Sequence, residues 1–281
     1  MQTRKLDMGK AWTQATGLIG ANRDTLSAIA GLFFFVPSFA GGVFVPDLAS
    51  SAAAAPSGAD PQVALQALVD QISAVYAEHW PLFLGLTIIQ FIGIMAVFAL
   101  LSGRGNPTVG EALGTGIKSI PSYIAAQLIS AVGIGFAVGV PLSLLSLVSP
   151  ALGAVAVLLA LPMMAWLFIR FSMTTAAIAI EGERNPIAAL RRSWRLTKGN
   201  SLRIFLFLFL LMFTIGILAT LVSAILGLIL SAFGEPVASI GIDIVSALVT
   251  ALVTTVFLVV SIAIYRQLAG PPAAALAETF E

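Results

Sequence analysis

Five polar side chains recur inside one long apolar run: Asp243, Ser246, Thr250, Thr254 and Ser261. At 100° per residue they fall within about 80° of one another on a helical wheel, a narrow hydrophilic stripe on an otherwise oily helix. A carboxylate followed by hydroxyls serves one of two ends. It lines a path for a solute or ion, or it hydrogen-bonds neighbouring helices, with Gln90 and Gln127 as candidate partners. Either role predicts that the stripe turns away from lipid. Asp243 lies only a few residues into its run, where a helix N-terminus favours a negative charge without any further role.

A second cluster is cationic. Arg191, Arg192, Arg195 and Lys198 fall within an arc of about 120° on a helix expected over 186–198, beside an apolar arc of Ile187, Leu190 and Trp194. Asn185 is a good N-cap, Pro186 suits the first helical position, and Gly199 suits a left-handed C-terminal cap. Such a helix lies in the membrane interface, with Trp194 as its apolar anchor and its basic face toward phosphates. The expected partners are anionic lipid head groups or a protein in the membrane. The plainer alternative is a loop whose charges only set topology.

Other chemistry is poorly supplied. Without cysteine there are no disulfides, thiolate nucleophiles or thiolate metal ligands, and His79 is the single histidine. No phosphate-binding loop, zinc-ligand spacing, nucleophile elbow or dinucleotide motif occurs. The expectation is therefore a protein that is not an enzyme, with no catalytic residues, no cofactor and no metal. A net charge of +1 with 10% charged residues also argues against nucleic acid as a partner.

The elements that must carry these clusters are membrane spans. Of 281 residues 59% are hydrophobic, and mean hydropathy is +1.02, far above a soluble domain. Crossing a hydrocarbon core takes roughly 20 helical residues. Six runs suffice: 25–45, 82–101, 120–147, 151–171, 202–230 and 240–265. A run such as Ile204-Phe205-Leu206-Phe207-Leu208-Phe209 has no polar alternation, so the spans are helices and not barrel strands. Pro37, Pro141 and Pro162 fall within spans and predict kinks, and Gly135-x-x-x-Gly139 would permit close helix approach.

With these spans, all 14 Lys and Arg fall on one side: Arg4, Lys5, Lys10, Arg23, then Arg104 and Lys118, then seven from Arg170 to Arg203, then Arg266. The opposite loops hold Asp47, Asp60, Asp70, Glu78 and Glu235. The positive-inside rule puts both termini in the cytoplasm. Cleavage of the first span as a signal peptide is the weaker reading, because the acid-containing segment before it is long for an n-region.

The predicted organisation is an all-α polytopic membrane protein of six spans plus short interfacial amphipathic helices, a single integral domain over 1–281. A cytoplasmic amphipathic segment covers 1–24, with Met8, Trp12, Ala15 and Ile19 as its stripe. An external loop and surface helix cover 47–80, the helix spacing Val63, Leu65, Leu68, Ile72 and Val75 and ending at Trp80-Pro81. The basic helix covers 181–201, and a cytoplasmic tail covers 267–281. A weak repeat relates Asn106-Pro107 with Ala112-Leu113 to Asn185-Pro186 with Ala189-Leu190, and Asn22 to Asn200, suggesting three units of one short helix and two spans.

The run from Glu181 to Asn200, with Asn185-Pro186, Ala189-Leu190, Arg192-Ser193-Trp194 and Lys198-Gly199 ahead of Leu202-Arg203-Ile204-Phe205, resembles the membrane-domain family associated with glycerophosphoryl diester phosphodiesterases and related bacterial inner-membrane proteins. The resemblance implies a bacterial inner-membrane, six-span, all-helical module. It does not imply phosphodiesterase activity: that family's catalytic barrel uses a His-Arg pair and a second His, whereas here His79 is followed by Trp80 and stands alone.

Overall fold

The structure is a computed structural model describing residues 5–44, 61–102 and 108–270. Arg4, residues 47–60 of the expected external segment, Arg104, Asn106, Pro107 and residues 271–281 of the tail lie outside the described residues. Among the described residues every regular element is helical and there is no strand. Six stretches are long and apolar enough to cross a membrane: Arg23–Phe44, Gln66–Leu100, Val109–Val148, Ala151–Glu181, Ser201–Ser231 and Val237–Ala269. The protein is an all-α, polytopic membrane protein.

In chain order the helices are α1 (Met8–Ala21), α2 (Arg23–Ala30), α3 (Val36–Phe44), α4 (Pro61–Leu100), α5 (Val109–Ile134), α6 (Val140–Val148), α7 (Pro150–Phe171), α8 (Thr174–Glu181), α9 (Pro186–Thr197), α10 (Ser201–Ser231) and α11 (Val237–Ala269). Wide π turns at Gly31–Phe35 and Gly135–Gly139 join α2 to α3 and α5 to α6. Each ends two residues before a proline, Pro37 or Pro141. A proline ring collides with the carbonyl four residues back and offers no N–H, and an inserted residue relieves both faults without ending the span. Pro162 lies inside α7 with no such turn. The boundary expected at Trp80-Pro81 is a kink at His79 (φ −108°, ψ 18°) within the 40-residue α4.

Three expectations need correction. No break separates a short helix from the third span: α5 runs straight through residue 120, starting at a capping box in which Thr108 Oγ1 accepts from Glu111 N (3.3 Å) and Glu111 Oε2 accepts from Thr108 N (2.8 Å). The apolar run after residue 150 does not stop at Phe171 but turns at Ser172-Met173 into α8, whose residues Ala176–Ile180 are buried. In α1 the buried positions are Ala11 and Ala15, while Trp12 is exposed, because two small residues admit a neighbour where an indole would not fit.

The chain divides into two compact units, with boundaries inside α2, α4, α10 and α11. Unit 1 comprises Met1–Arg23, Ile94–Thr214 and Val256–Glu281. Its core includes Met95, Phe98, Met173, Ile178, Ile204, Ile262 and Ile264, all fully buried. Polar stitches secure its ends: Leu6 N donates to buried Asn200 Oδ1 (3.0 Å), Asp7 N to Gln267 Oε1 (3.1 Å), and Arg266 to the Leu101 carbonyl at the end of α4. Asn22 has a different role from Asn200, capping α1 through Leu18 O (2.9 Å). Unit 2 comprises Asp24–Gly93 and Ile215–Thr255. There Gly93 abuts α3's approach so closely that an added Cβ would lie 2.4 Å from Phe33 Cβ.

Candidate functional site

The basic segment of unit 1 is held at both ends by backbone chemistry. Gly182 (φ 75°) ends α8 in a left-handed conformation that costs glycine little. Glu183 Oε1 accepts from Asn185 N (3.0 Å), and Asn185 Oδ1 accepts from Ile187 N (3.0 Å) and Ala188 N (3.3 Å), the expected N-cap. Pro186 follows as the first helical residue. At the other end Lys198 caps α9 and Gly199 has the positive φ (82°) its position predicts. α9 packs against α5, α7 and α8, burying Ala189, Leu190, Ser193 and Thr197.

Three consecutive side chains on α9 are each committed to the fold. Arg192 grips the Glu181 carboxylate through Nη2–Oε1 (2.7 Å), Nε–Oε1 (2.9 Å) and Nε–Oε2 (3.1 Å). The hydroxyl of buried Tyr265, on α11, donates to Glu181 Oε1 as well. The carboxylate's hydrogen bonds hold the Arg192 guanidinium's proton more firmly than usual. Ser193, fully buried, donates to Arg170 O (2.7 Å) and accepts from Met173 N (3.1 Å), closing the corner where α7 gives way to α8. Trp194 meets Trp166 edge to face at 5.2 Å, and the Arg170 guanidinium lies 5.0 Å and 4.9 Å from the two ring centres. Arg170 Nη1 also donates to Trp194 O (3.2 Å).

Arg192 is therefore bound to Glu181, whereas Arg191, Arg195 and Lys198 are exposed. Arg191, Arg192 and Arg195 border an open basin of about 700 Å³ that Glu181, Glu183 and Trp194 also line; Lys198 is not part of its wall. Three guanidiniums face two carboxylates, leaving the basin positive by one charge. Among the described residues Arg191 and Arg195, one helical turn apart, are in no ion pair. Two unpaired forks at this spacing are suited to the oxygens of a phosphate.

Contrary to what its pattern predicts, the stripe on α11 does not face other helices along its whole length. Ser246 and Thr250 are exposed, Asp243 and Thr254 are half-buried, and Ser261 is buried, donating to Phe257 O (2.8 Å). The buried face in unit 2 is instead Ala238, Ala247, Ala251 and Thr255. Between membrane helices closeness of approach decides packing, and alanine permits it. Asp243 Oδ1 lies 3.4 Å from where a Cβ on Gly42 would stand, placing the carboxylate against α3. Gln127 donates to Tyr123 OH (3.4 Å), and Gln90 is half-buried. Among the described residues nothing lies within 4 Å of a Cβ placed on Gly135 or Gly139, so that motif mediates no close approach between them.

Sequence reasoning missed Glu181, Arg170, Ser193 and Tyr265. Ser193 sits inside the Arg-Ser-Trp run, and Glu181 begins the segment that carries the family resemblance, so both stood in view. Tyr265, 84 residues from Glu181, gave no signal. Among the described residues no group of three or more His, Asp or Glu is placed to hold a metal ion.

No curated protein and no solved structure matches the chain. The family described as Domain of unknown function (DUF7847) matches residues 81–268, about two thirds of the 281, a stretch that includes every residue of the basin and its supporting corner, and the chain belongs to that family.

Proposed function

We propose that the protein is a non-catalytic module of a bacterial inner membrane that binds anionic phospholipid head groups on the cytoplasmic side, with Arg191 and Arg195 as the phosphate ligands. The observation that carries this reading is the pair of exposed, unpaired guanidiniums one turn apart over the basin. Lys198 adds to the field from outside the wall. Arg192 supports it indirectly, by neutralising Glu181, which would otherwise repel a phosphate. A cation near an anionic leaflet contributes about 1 kcal/mol, so the two arginines together supply about 2 kcal/mol. The one-sided distribution of Lys and Arg supports a cytoplasmic position for both termini. The likeness of residues 181–205 to the phosphodiesterase-associated membrane domain is a further reason for assigning a bacterial inner membrane. The competing transporter reading requires Ser246 and Thr250 to line a path, and their exposure counts against it.

The test is lipid retention. Full-length protein extracted gently from membranes containing phosphatidylglycerol is analysed by native mass spectrometry. The double variant Arg191→Gln/Arg195→Gln should hold phosphatidylglycerol about thirtyfold more weakly, the reduction that a loss of about 2 kcal/mol implies. Lys118→Gln, an exposed cation outside the basin, should lose little. Equal losses in both would reduce α9 to a topological role. Orientation is tested separately: the chain has no cysteine, so Lys198→Cys should resist an impermeant external thiol reagent, and a cysteine within 50–60 should react.

A further inference from the structure

Beside the basin, unit 1 carries a second concavity of about 240 Å³ between α7 and α10. Pro162, Ala165, Trp166 and Ile169 form one wall, and Leu202 and Phe205 the other. The Ser201 hydroxyl in its lining donates to Thr197 O (3.0 Å), so that its polarity is met within the helix. The two cavities share a partition. Trp194 lines the basin, Trp166 lines the groove, and their rings touch edge to face with the Arg170 guanidinium against both. The groove begins at Ser201, the first residue of a spanning helix, which is the depth at which acyl chains leave their head groups.

Resting on the head-group reading above, we propose that basin and groove form one site for a single phospholipid: its phosphate lies between Arg191 and Arg195, and one of its acyl chains passes the Trp194–Trp166 partition into the groove between α7 and α10. A groove open to lipid is always filled by some acyl chain, and lipid tails gain no hydrophobic free energy by exchanging bilayer for protein. What selects the occupant is tethering. The chain of a lipid already held by its phosphate is present at high effective concentration just beyond the Trp194–Trp166 contact, so it outcompetes bulk chains. The groove's contribution is then a fixed position and a slow exit, which distinguishes a stoichiometric ligand from a diffuse belt of anionic lipid.

Ala165 is the place to test this, because it is half-buried in the groove wall and carries no charge. Ala165→Phe should fill the groove, and Ala165→Leu should fill it in part. Leu158→Phe, on the same helix outside the groove and 70% exposed, is the control. Retention of dioleoyl phosphatidylglycerol is measured by native mass spectrometry, with its deacylated head group, glycerophosphoglycerol, as competitor. Wild type should hold one diacyl lipid and prefer it to the deacylated competitor by tenfold or more. Ala165→Phe should cut that preference at least fivefold, Ala165→Leu by less, and Leu158→Phe not at all, each variant keeping the wild-type melting temperature within 2 °C. If Arg191→Gln/Arg195→Gln abolishes retention while both Ala165 variants retain lipid like wild type, the groove assignment is overturned and the head-group reading survives. If none of the variants changes retention, both are overturned.

Discussion

Ser193→Ala isolates what the corner between α7 and α8 contributes. The hydroxyl is fully buried and serves two backbone groups at once, Arg170 O at 2.7 Å and Met173 N at 3.1 Å, and Met173 is itself fully buried. Alanine fits the same space but leaves a buried N–H and a part-buried carbonyl without that partner. A buried group left unmade costs about 1–3 kcal/mol, so the pair is worth about 3 kcal/mol, the carbonyl contributing less because it keeps a second lone pair. For a chain of this size about 1 kcal/mol shifts Tm by about 2–4 °C, which predicts a fall of about 9 °C for purified protein in detergent. The same loss loosens α9 from α7, so intrinsic fluorescence should report a changed Trp166–Trp194 contact. Arg191→Gln, exposed and unpaired two residues earlier, should shift Tm by less than about 2 °C. A Ser193→Ala shift as small as that would refute the reasoning, because it would mean that another group takes over both hydrogen bonds.

Four further outcomes are expected. Glu181→Gln strips the half-buried Arg192 of its counter-ion and should cost about 2 kcal/mol by denaturant titration, with Tyr265→Phe costing about 1.5 kcal/mol because it removes one hydrogen bond to a charged acceptor. Gly93→Ala forces a methyl to within 2.4 Å of Phe33 and should destabilise by about 3 kcal/mol, whereas Gly135→Ala, with open space around it, should stay within about 0.5 kcal/mol. Because Glu181 raises the Arg192 pKa, the pair's stabilisation is fully present below the guanidinium's ordinary range and is lost only as pH rises through the raised value; with no histidine in the basin either, lipid retention should be flat from pH 6 to 9. Ser246→Leu and Thr250→Leu, at exposed positions, should leave both Tm and solute flux in liposomes unchanged; a flux that these variants abolish would revive the transporter reading.

Span number was legible because it depends on composition over windows of about 20 residues, and a run such as Ile204 to Phe209 admits one reading. Which face of a span packs was not legible. A helix that is apolar all round carries no amphipathic signal, so polarity suggested the Asp243 stripe while residue size placed Ala247 and Ala251 inside. α8 was missed because eight residues of Thr, Ala, Ile and Glu after Phe171 are too few to read as a span, and nothing local marks the turn at Ser172-Met173. The caps of α9 were legible in full, since Asn185, Pro186 and Gly199 act through local backbone geometry that sequence spacing encodes directly.

The same distinction separates the structural residues on α9 from those proposed to bind a ligand. Consecutive helical residues are rotated by 100°, so Arg192, Ser193 and Trp194 sweep about 200° of the surface, too wide for any one ligand to touch all three. Each side chain meets a different neighbour: Glu181 with Tyr265, the corner at Arg170 and Met173, and the Arg170–Trp166 stack. The most recognisable run in the sequence is thus consumed in joining α7, α8, α9 and α11. Arg191 and Arg195, which flank that run, share one face because they are four residues apart, and among the described residues no ion-pair partner claims them. Substitutions at positions 191 and 195 would alter the proposed phosphate contacts while leaving Arg192, Ser193 and Trp194, and with them this corner, in place. The fold and the proposed phosphate contacts of the basin are therefore carried by adjacent residues of one helix, with little chemical overlap between them.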